Sequence, residues 1–345
     1  MDLYQSLENT KAYLVVDDGT KVAVKLDLSP EGVSISQTFT EKTFNRKTIG
    51  SPASLIDAGV INKANPANFS FTVPIYKKDG GATSYILGAL TSPSESTSVK
   101  ISLHFFIDSK AYVLDRCVIT SGVVAINTQS PLSIAISGEA ARLFTYETIR
   151  NIVNEDGSID ASYSNYVSAM PVFTTAEILP NTSGKEFLQL TEAQIASEAY
   201  STFGGTGRDV LASLSLEVQN SVKWVGYQTL AGAVTAQGAT SSQYPSNFVL
   251  TNQSLAGSGT FYIKTKNQDV FKGFETNEGL DQKWQVNAPL AVSAFSRSGT
   301  TNYGVSMVGN CNTTSRVSFG VMPTVSIDWR LVEAPISEKL TFTLA

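Results

Sequence analysis

Histidine is nearly missing from this 345-residue chain: His104, in "SLHFF", is the only one. A single imidazole does not make a zinc site, and no Ser or Cys stands in a recognisable nucleophile context, so no catalytic triad emerges. His104 sits between apolar residues of a strand-like run and reads as structural. Cysteine is scarce too. Cys117 and Cys311 make no disulfide framework; they read as small buried hydrophobes, with a bridge between them as the alternative. Charge is thin, at 16% of residues against the usual ~25%. No basic run occurs and the net charge is −5, which disfavours tight binding of nucleic acid. No stretch approaches the ~20 apolar residues of a helical membrane span. The opening "MDLYQSLENTK" has neither the basic nor the apolar region of a signal peptide. The expectation is a non-enzymatic chain made in the cytoplasm, without membrane insertion, cofactor or metal.

What the chain has in quantity is period-two alternation. "KVAVKLDLS" (Lys21–Ser29) puts Val22, Val24, Leu26 and Leu28 on one face, and "NFSFTVPIY" (Asn68–Tyr76) does the same with Phe69, Phe71, Val73 and Ile75. "LSIAIS" (Leu132–Ser137) and "VSIDWRL" (Val325–Leu331) follow suit, with turns such as "KKDGG" and "RSGTTNYG" between runs. Sheets with one buried and one accessible face are implied. Helix signals are few: Thr83–Leu90, Asn267–Phe274 and, best capped, Leu190–Phe203 with its Thr and first-turn Glu. "FGGTGRD" (Phe203–Asp209) lacks the Lys–Ser/Thr of a phosphate loop, and "DGSID" (Asp156–Asp160) lacks the closing Glu of a calcium loop; both read as turns.

The chain also repeats itself. "KLDLSPEGVSI" (Lys25–Ile35) and "SLSLEVQNSVKWV" (Ser213–Val225) each begin with alternation, carry an acid at the same step (Asp27, Glu217) and break on a short polar turn. A long mildly apolar passage follows in each half, Phe39–Ala67 and Tyr227–Gly257. Then come an aromatic strand (Phe69–Tyr76; Thr260–Thr265), a short helix candidate, a strand (Ile101–Ile107; Ala291–Phe295), a hairpin, and a closing strand after Pro131 or Pro323. The order recurs about 190 residues on, the mark of an internal duplication. The expected organisation is mainly β: two tandem β-sandwich or barrel domains over 1–150 and 173–345, with Phe144–Pro171 reading as the connection and 151–172 as its separate span.

The N-terminal half resembles the tail tube proteins of T5-like long-tailed bacteriophages. The resemblance lies in "LENTKAYLVV", "NRKTIG" (Asn45–Gly50) with its later "DAG", "FSFTVPIYKKDG" and "YVLDRCVITSGVVAINTQSPLSIAISGEA". It covers Leu3–Leu143, and the second half joins by its likeness to the first. It implies a tail-tube-type fold in both halves, trimers closing into pseudo-hexameric rings, and rings stacking into a hollow tube that conducts the genome. Partners would be further copies of the chain, a tape measure protein, and tail-tip and terminator proteins. Double-stranded DNA would pass without being bound. The place would be the virion tail, after assembly in the host cytoplasm. Some members carry an immunoglobulin-like domain at the C-terminus, for which Ala345 leaves no room.

On that reading Asp27 and Glu217 are candidate lumen acids, the alternative being an outer solvated face. Arg46, Ile49, Leu55, Ile56 and Val60, with Leu230, Val234, Tyr244 and Phe248, are candidates for ring stacking, because their long passages are too apolar for disorder. The alternative there is a hairpin packed on its own domain. Two rivals remain: a ring-forming tail-tip or distal tail protein, and a carbohydrate-binding β-sandwich that stacks sugars on Trp224, Trp284 and Trp329. Trp329 alternates with apolar positions and Trp224 is taken to start a strand, which favours core or interface roles.

Overall fold

The computed structural model describes residues 10–17, 21–28, 33–44, 58–78, 82–93, 100–107, 110–126, 130–147, 185–197, 211–225, 244–245, 247–262, 284–298 and 301–344. They are mainly β. The first half holds β1 (Thr10–Asp17), β2 (Lys21–Leu26), β3 (Ser34–Ser36), β4 (Phe39–Phe44), β5 (Ala58–Ala64), β6 (Ala67–Pro74), β7 (Tyr76–Lys78), helix α1 (Ala82–Thr91), β8 (Lys100–Ile107), β9 (Lys110–Ile126) and β10 (Ser133–Glu147). The second holds β11 (Glu186–Phe187), β12 (Glu192–Ser197), β13 (Leu211–Val225), β14 (Asn247–Tyr262), β15 (Trp284–Ser298), β16 (Thr301–Ser318), β17 (Thr324–Leu331), helix α2 (Ile336–Lys339) and β18 (Leu340–Thr343).

The expected helix at Thr83–Leu90 is α1. The one expected at Leu190–Phe203 is corrected: Glu192–Ser197 is strand β12, paired along its length with β15. Ala193 and Ile195 alternate into the core there, and pairing outweighs the helix propensity of Ala, Gln and Glu. The polar turn expected within "SLEVQNSVKWV" is also absent. β13 runs unbroken through it, with one register shift at Ser221/Val222. Trp224 therefore stands near the end of a strand, not at its start. β10 carries the chain to Glu147, into the expected connection. The span 151–172, Asn267–Phe274, "FGGTGRD" and "DGSID" lie outside the described residues.

One antiparallel sheet runs through both halves. In the first, neighbours follow the order β1-β8-β9-β10-β6-β3, with β2 added outside β1. In the second the order is β12-β15-β16-β17-β14-β13. Each series reads the same way: within its half, the strand first in sequence, then the fourth, fifth, sixth, third and second. The halves join edge to edge, where Leu214–Gln219 of β13 pairs with Ser121–Ile126 of β9. Alternation buries one face, as in β6 with Ala67, Phe69, Phe71 and Val73. One contiguous core draws buried side chains from both halves, α1 and α2.

Two details tie the halves together. In the first half Gly138 of β10 stands opposite Phe69 of β6; in the second Gly257 of β14 stands opposite Trp329 of β17. The ring lies over the glycine in both cases. A Cβ on Gly138 would fall 2.2 Å from the Phe69 ring, and one on Gly257 would fall 2.4 Å from the Trp329 indole. Two residues farther along the closing strand, Ala140 faces Cys117 and Leu331 faces Cys311. The other detail is Asn220, buried in mid-β13. Its Nδ2 donates to the carbonyls of Leu90 (2.9 Å) and Ile119 (2.8 Å), and its Oδ1 accepts from Gln253 Nε2 (2.8 Å). Gln253 also donates to Thr91 O. Carbonyls at the C-terminus of α1, which have no partner within the helix, are thus capped by the other half of the chain.

Candidate assembly surface

The outer face of the joined sheet is built from short side chains. Reading across the strands near the seam, it presents Ser70 and Thr72 of β6, Ala135 and Ser137 of β10, Ser121 and Val123 of β9, Glu217 and Gln219 of β13, and Ala256 and Ser258 of β14. Hydroxyls link neighbouring strands here: Ser215 to Ser258 (3.0 Å), Thr260 to Ser326 (3.1 Å), and Thr120 Oγ1 donating to Ser137 O (3.3 Å). The result is a hydroxyl-coated sheet face with sparse charge. Glu217 stands near its middle, half-buried, its Oε1 accepting from Gln219 Nε2 at 2.8 Å.

Asp27 does not share that setting. It lies just past the end of β2, where Lys185 donates to its Oδ2. Lys185 also sits 5.1 Å from the Tyr76 ring centre, and Tyr76 packs on Phe187 at 5.1 Å. β11 pairs with β7 beside it, and Lys77 reaches Glu186 at 3.4 Å. Asp27 is part of a latch holding residues 185–187 to the first half. Nor are the two acids at matching steps. With the Gly–aromatic pairs as reference, Ile35 of β3 faces Phe69 as Leu216 of β13 faces Gly257. The counterpart of Glu217 is therefore Ser36.

The two passages expected to stack lie partly within the described residues. Phe39–Phe44 and Ala58–Ala64, including Val60, form an antiparallel two-stranded sheet of their own, so the first passage has the hairpin form kept as the alternative. Asn65 ties its base, its N–H and Nδ2 donating to Thr38, while Gln37 accepts from the Leu143 N–H of β10. Tyr244 packs edge-on against Phe39 at 6.2 Å and lies under Arg142, whose guanidinium carbon is 4.5 Å from the ring centre. Residues from Asn247 onward belong to β14, not to a loop. Phe248 is buried against Trp224 at 5.6 Å, so its ring packs inside the chain. Arg46, Ile49, Leu55, Ile56, Leu230 and Val234 lie outside the described residues.

Of the tryptophans, Trp329 is buried over Gly257, and Trp224 is half-buried with its indole N–H donated to Glu139. Cys117 and Cys311 are free and buried. Burial pushes the Cys117 thiol well up, and burial with the nearby Glu333 carboxylate pushes Cys311 up to about 12. Protonated thiols of this kind are poor nucleophiles and poor metal ligands. Among the described residues no three His, Cys, Asp or Glu side chains converge on a metal site, and no helix is long and apolar enough to cross a membrane.

One feature escaped sequence reasoning. The β16–β17 turn carries Phe319, Val321 and Met322, all strongly exposed on a folded hairpin. "SFGVMPT" offers no alternation, and only the pairing of Ser318 with Thr324 turns it into a tip. The chain matches no family model and no curated protein.

Proposed function

We propose that this chain is a structural subunit that assembles with copies of itself into stacked rings forming a hollow tube, the tail tube of a long-tailed bacteriophage. The observation that carries the reading is the repeated strand order, with the halves joined edge to edge in one sheet. A chain that already joins two like units can extend by the same joint. Three such chains would give six like units around an axis, because head-to-tail contacts make rings when the rotation closes. On this reading the repeat is a gene duplication whose halves have diverged while keeping their contacts.

The hydroxyl-coated face supports a conduit role. Phosphate contacts by clustered Lys and Arg add affinity and would stall a passing duplex; short Ser and Thr side chains with Glu217 among them hold water instead. The proposed place is the virion tail, with tape measure, tail-tip and terminator proteins as partners. Negative-stain electron microscopy of the purified protein over a concentration series tests the reading. Hollow tubes with a regular axial repeat are expected. Single rings that never stack favour a tail-tip protein, and monomers at every concentration contradict assembly altogether.

A further inference from the structure

The outer face of the second half is not of one kind. Near the seam its hydroxyls bond one another, Ser215 with Ser258 and Thr260 with Ser326. At the far end of the strand series a groove of about 360 Å³ opens across β12, β15, β16 and β18. Ile195, Val292 and Met307 point into the core there, so their neighbours Gln194, Ser293 and Ser306 face outward. Those three stand side by side on one rung, and Asn302 and Thr343 complete the polar lining. All five are half-buried or exposed. Unlike the hydroxyls near the seam, none of the five side chains is hydrogen-bonded to the chain among the described residues.

The floor and one wall come from the next rung, where Gly304 faces Phe295. A Cβ at Gly304 would fall 2.1 Å from the Ala294 carbonyl oxygen, so this step stays without a side chain. On the corresponding strands of the first half, β1 and β9, the outward residues Tyr13 and Val113 share a rung through His104 and are each 1% exposed. The two series keep one order of neighbours and place opposite chemistry on these strands, covered and apolar in the first half, open and polar in the second.

Hydrogen-bonding groups left open in a concavity hold water until a ligand with matching groups replaces it. The two amides offer donors and acceptors, and each hydroxyl offers both. No charged side chain is among the described residues that line the groove, so an ionic ligand would find no opposite charge to pair with. The volume falls in the range of small-molecule sites, ~300–1,000 Å³. Five neutral hydrogen-bonding groups beside an aromatic ring suit a sugar, which carries hydroxyls around its rim and C–H bonds on its faces. We infer that this groove binds a neutral saccharide of about one or two units. Its hydroxyls bond Gln194, Asn302 and Ser306, and a C–H face packs toward Phe295. The site lies away from the β13–β9 seam, and the inference stands apart from the assembly reading.

Saturation-transfer NMR and calorimetry on the purified full chain test it, with neutral disaccharides of glucose, galactose, mannose and N-acetylglucosamine as probes. At least one is expected to bind with a Kd of about 1 mM or tighter. Its counterparts bearing a carboxylate or an amino group should bind at least about tenfold more weakly. Gln194→Ala and Asn302→Ala should each weaken binding about tenfold, the scale of one lost hydrogen bond. Both should leave the thermal midpoint in place, because neither amide is bonded to the chain among the described residues. Absence of binding by every probe at about 10 mM overturns the site. Binding that both variants leave unchanged, or that charged counterparts match, overturns it equally.

Discussion

The second half ends its run of six strands on a fifteen-residue strand, paired with β14 along its length and with β9 over Leu214–Gln219, whereas the first half ends on three residues that pair with β6 alone among the described residues. Order of neighbours is the same in both, so the difference is one of company. β13 is long because β9 and β14 flank it and Asn220 anchors it to α1. A backbone paired on one edge only gains fewer hydrogen bonds for the same ordering cost, and the short β3 reflects that. The two series thus match in order and differ in how far their last strands are flanked among the described residues.

The largest expected effect comes from filling the glycine rungs. Gly138→Ala and Gly257→Ala each place a methyl group against a ring and a backbone carbonyl, of Val118 and Ser215 respectively. Each should cost about 2–3 kcal/mol by overpacking, read as a lower urea midpoint. If only one half responds, the rungs are not equivalent.

Removing the clamp between halves comes next. Asn220→Ala leaves Leu90 O, Ile119 O and the Gln253 amide without that partner, a cost of about 2–3 kcal/mol. Hydrogen exchange should rise in α1, although the substitution lies in the second half. Exchange unchanged in α1 would mean that the halves are energetically separate.

The cysteines sharpen the comparison without perturbing it. At pH 8 a thiol reagent should label neither Cys117 nor Cys311 in the native protein and both after denaturation, since burial raises both pKa values. Rapid native labelling of one alone would break the equivalence of their positions.

The smallest effect belongs to a pair in the second half. Glu333 and Lys339 bond each other, which lowers the carboxyl pKa and raises the ammonium pKa. The carboxyl's contribution to stability is present above its ordinary range and lost as pH falls through the lowered value. The ammonium's contribution is present below its ordinary value and lost as pH rises through the raised one. Glu333→Gln should flatten the acid limb slightly and be nearly silent in high salt. A large loss at neutral pH would show the pair doing more than its exposure allows.

Much of this fold was legible in the chain. Alternation in Asn68–Tyr76, Leu132–Ser137 and Val325–Leu331 marked strands whose inward residues are the buried ones. That the two halves share one order of neighbours is shown by strand pairing alone. Register was not legible. Alternation marks which residues share a face and not which strand lies opposite, so it pointed to Leu26 as the counterpart of Leu216, nine residues before Ile35. Only the opposite strand, with its glycine and ring, decides between them. The same blindness turned Gln219–Asn220 into a turn, since nothing local says that Asn220 has two carbonyls waiting across the core. β12 was taken for a helix because its propensities are helical and its partner lies about a hundred residues away. The apolar tip at Phe319 became visible only once the hairpin placed it in solvent.

The central claim is that one chain does the work of two ring subunits. Native mass spectrometry of the smallest closed assembly tests it most directly. The account predicts three 36.9-kDa chains per ring. A ring of six chains, or a closed dimer, would contradict it.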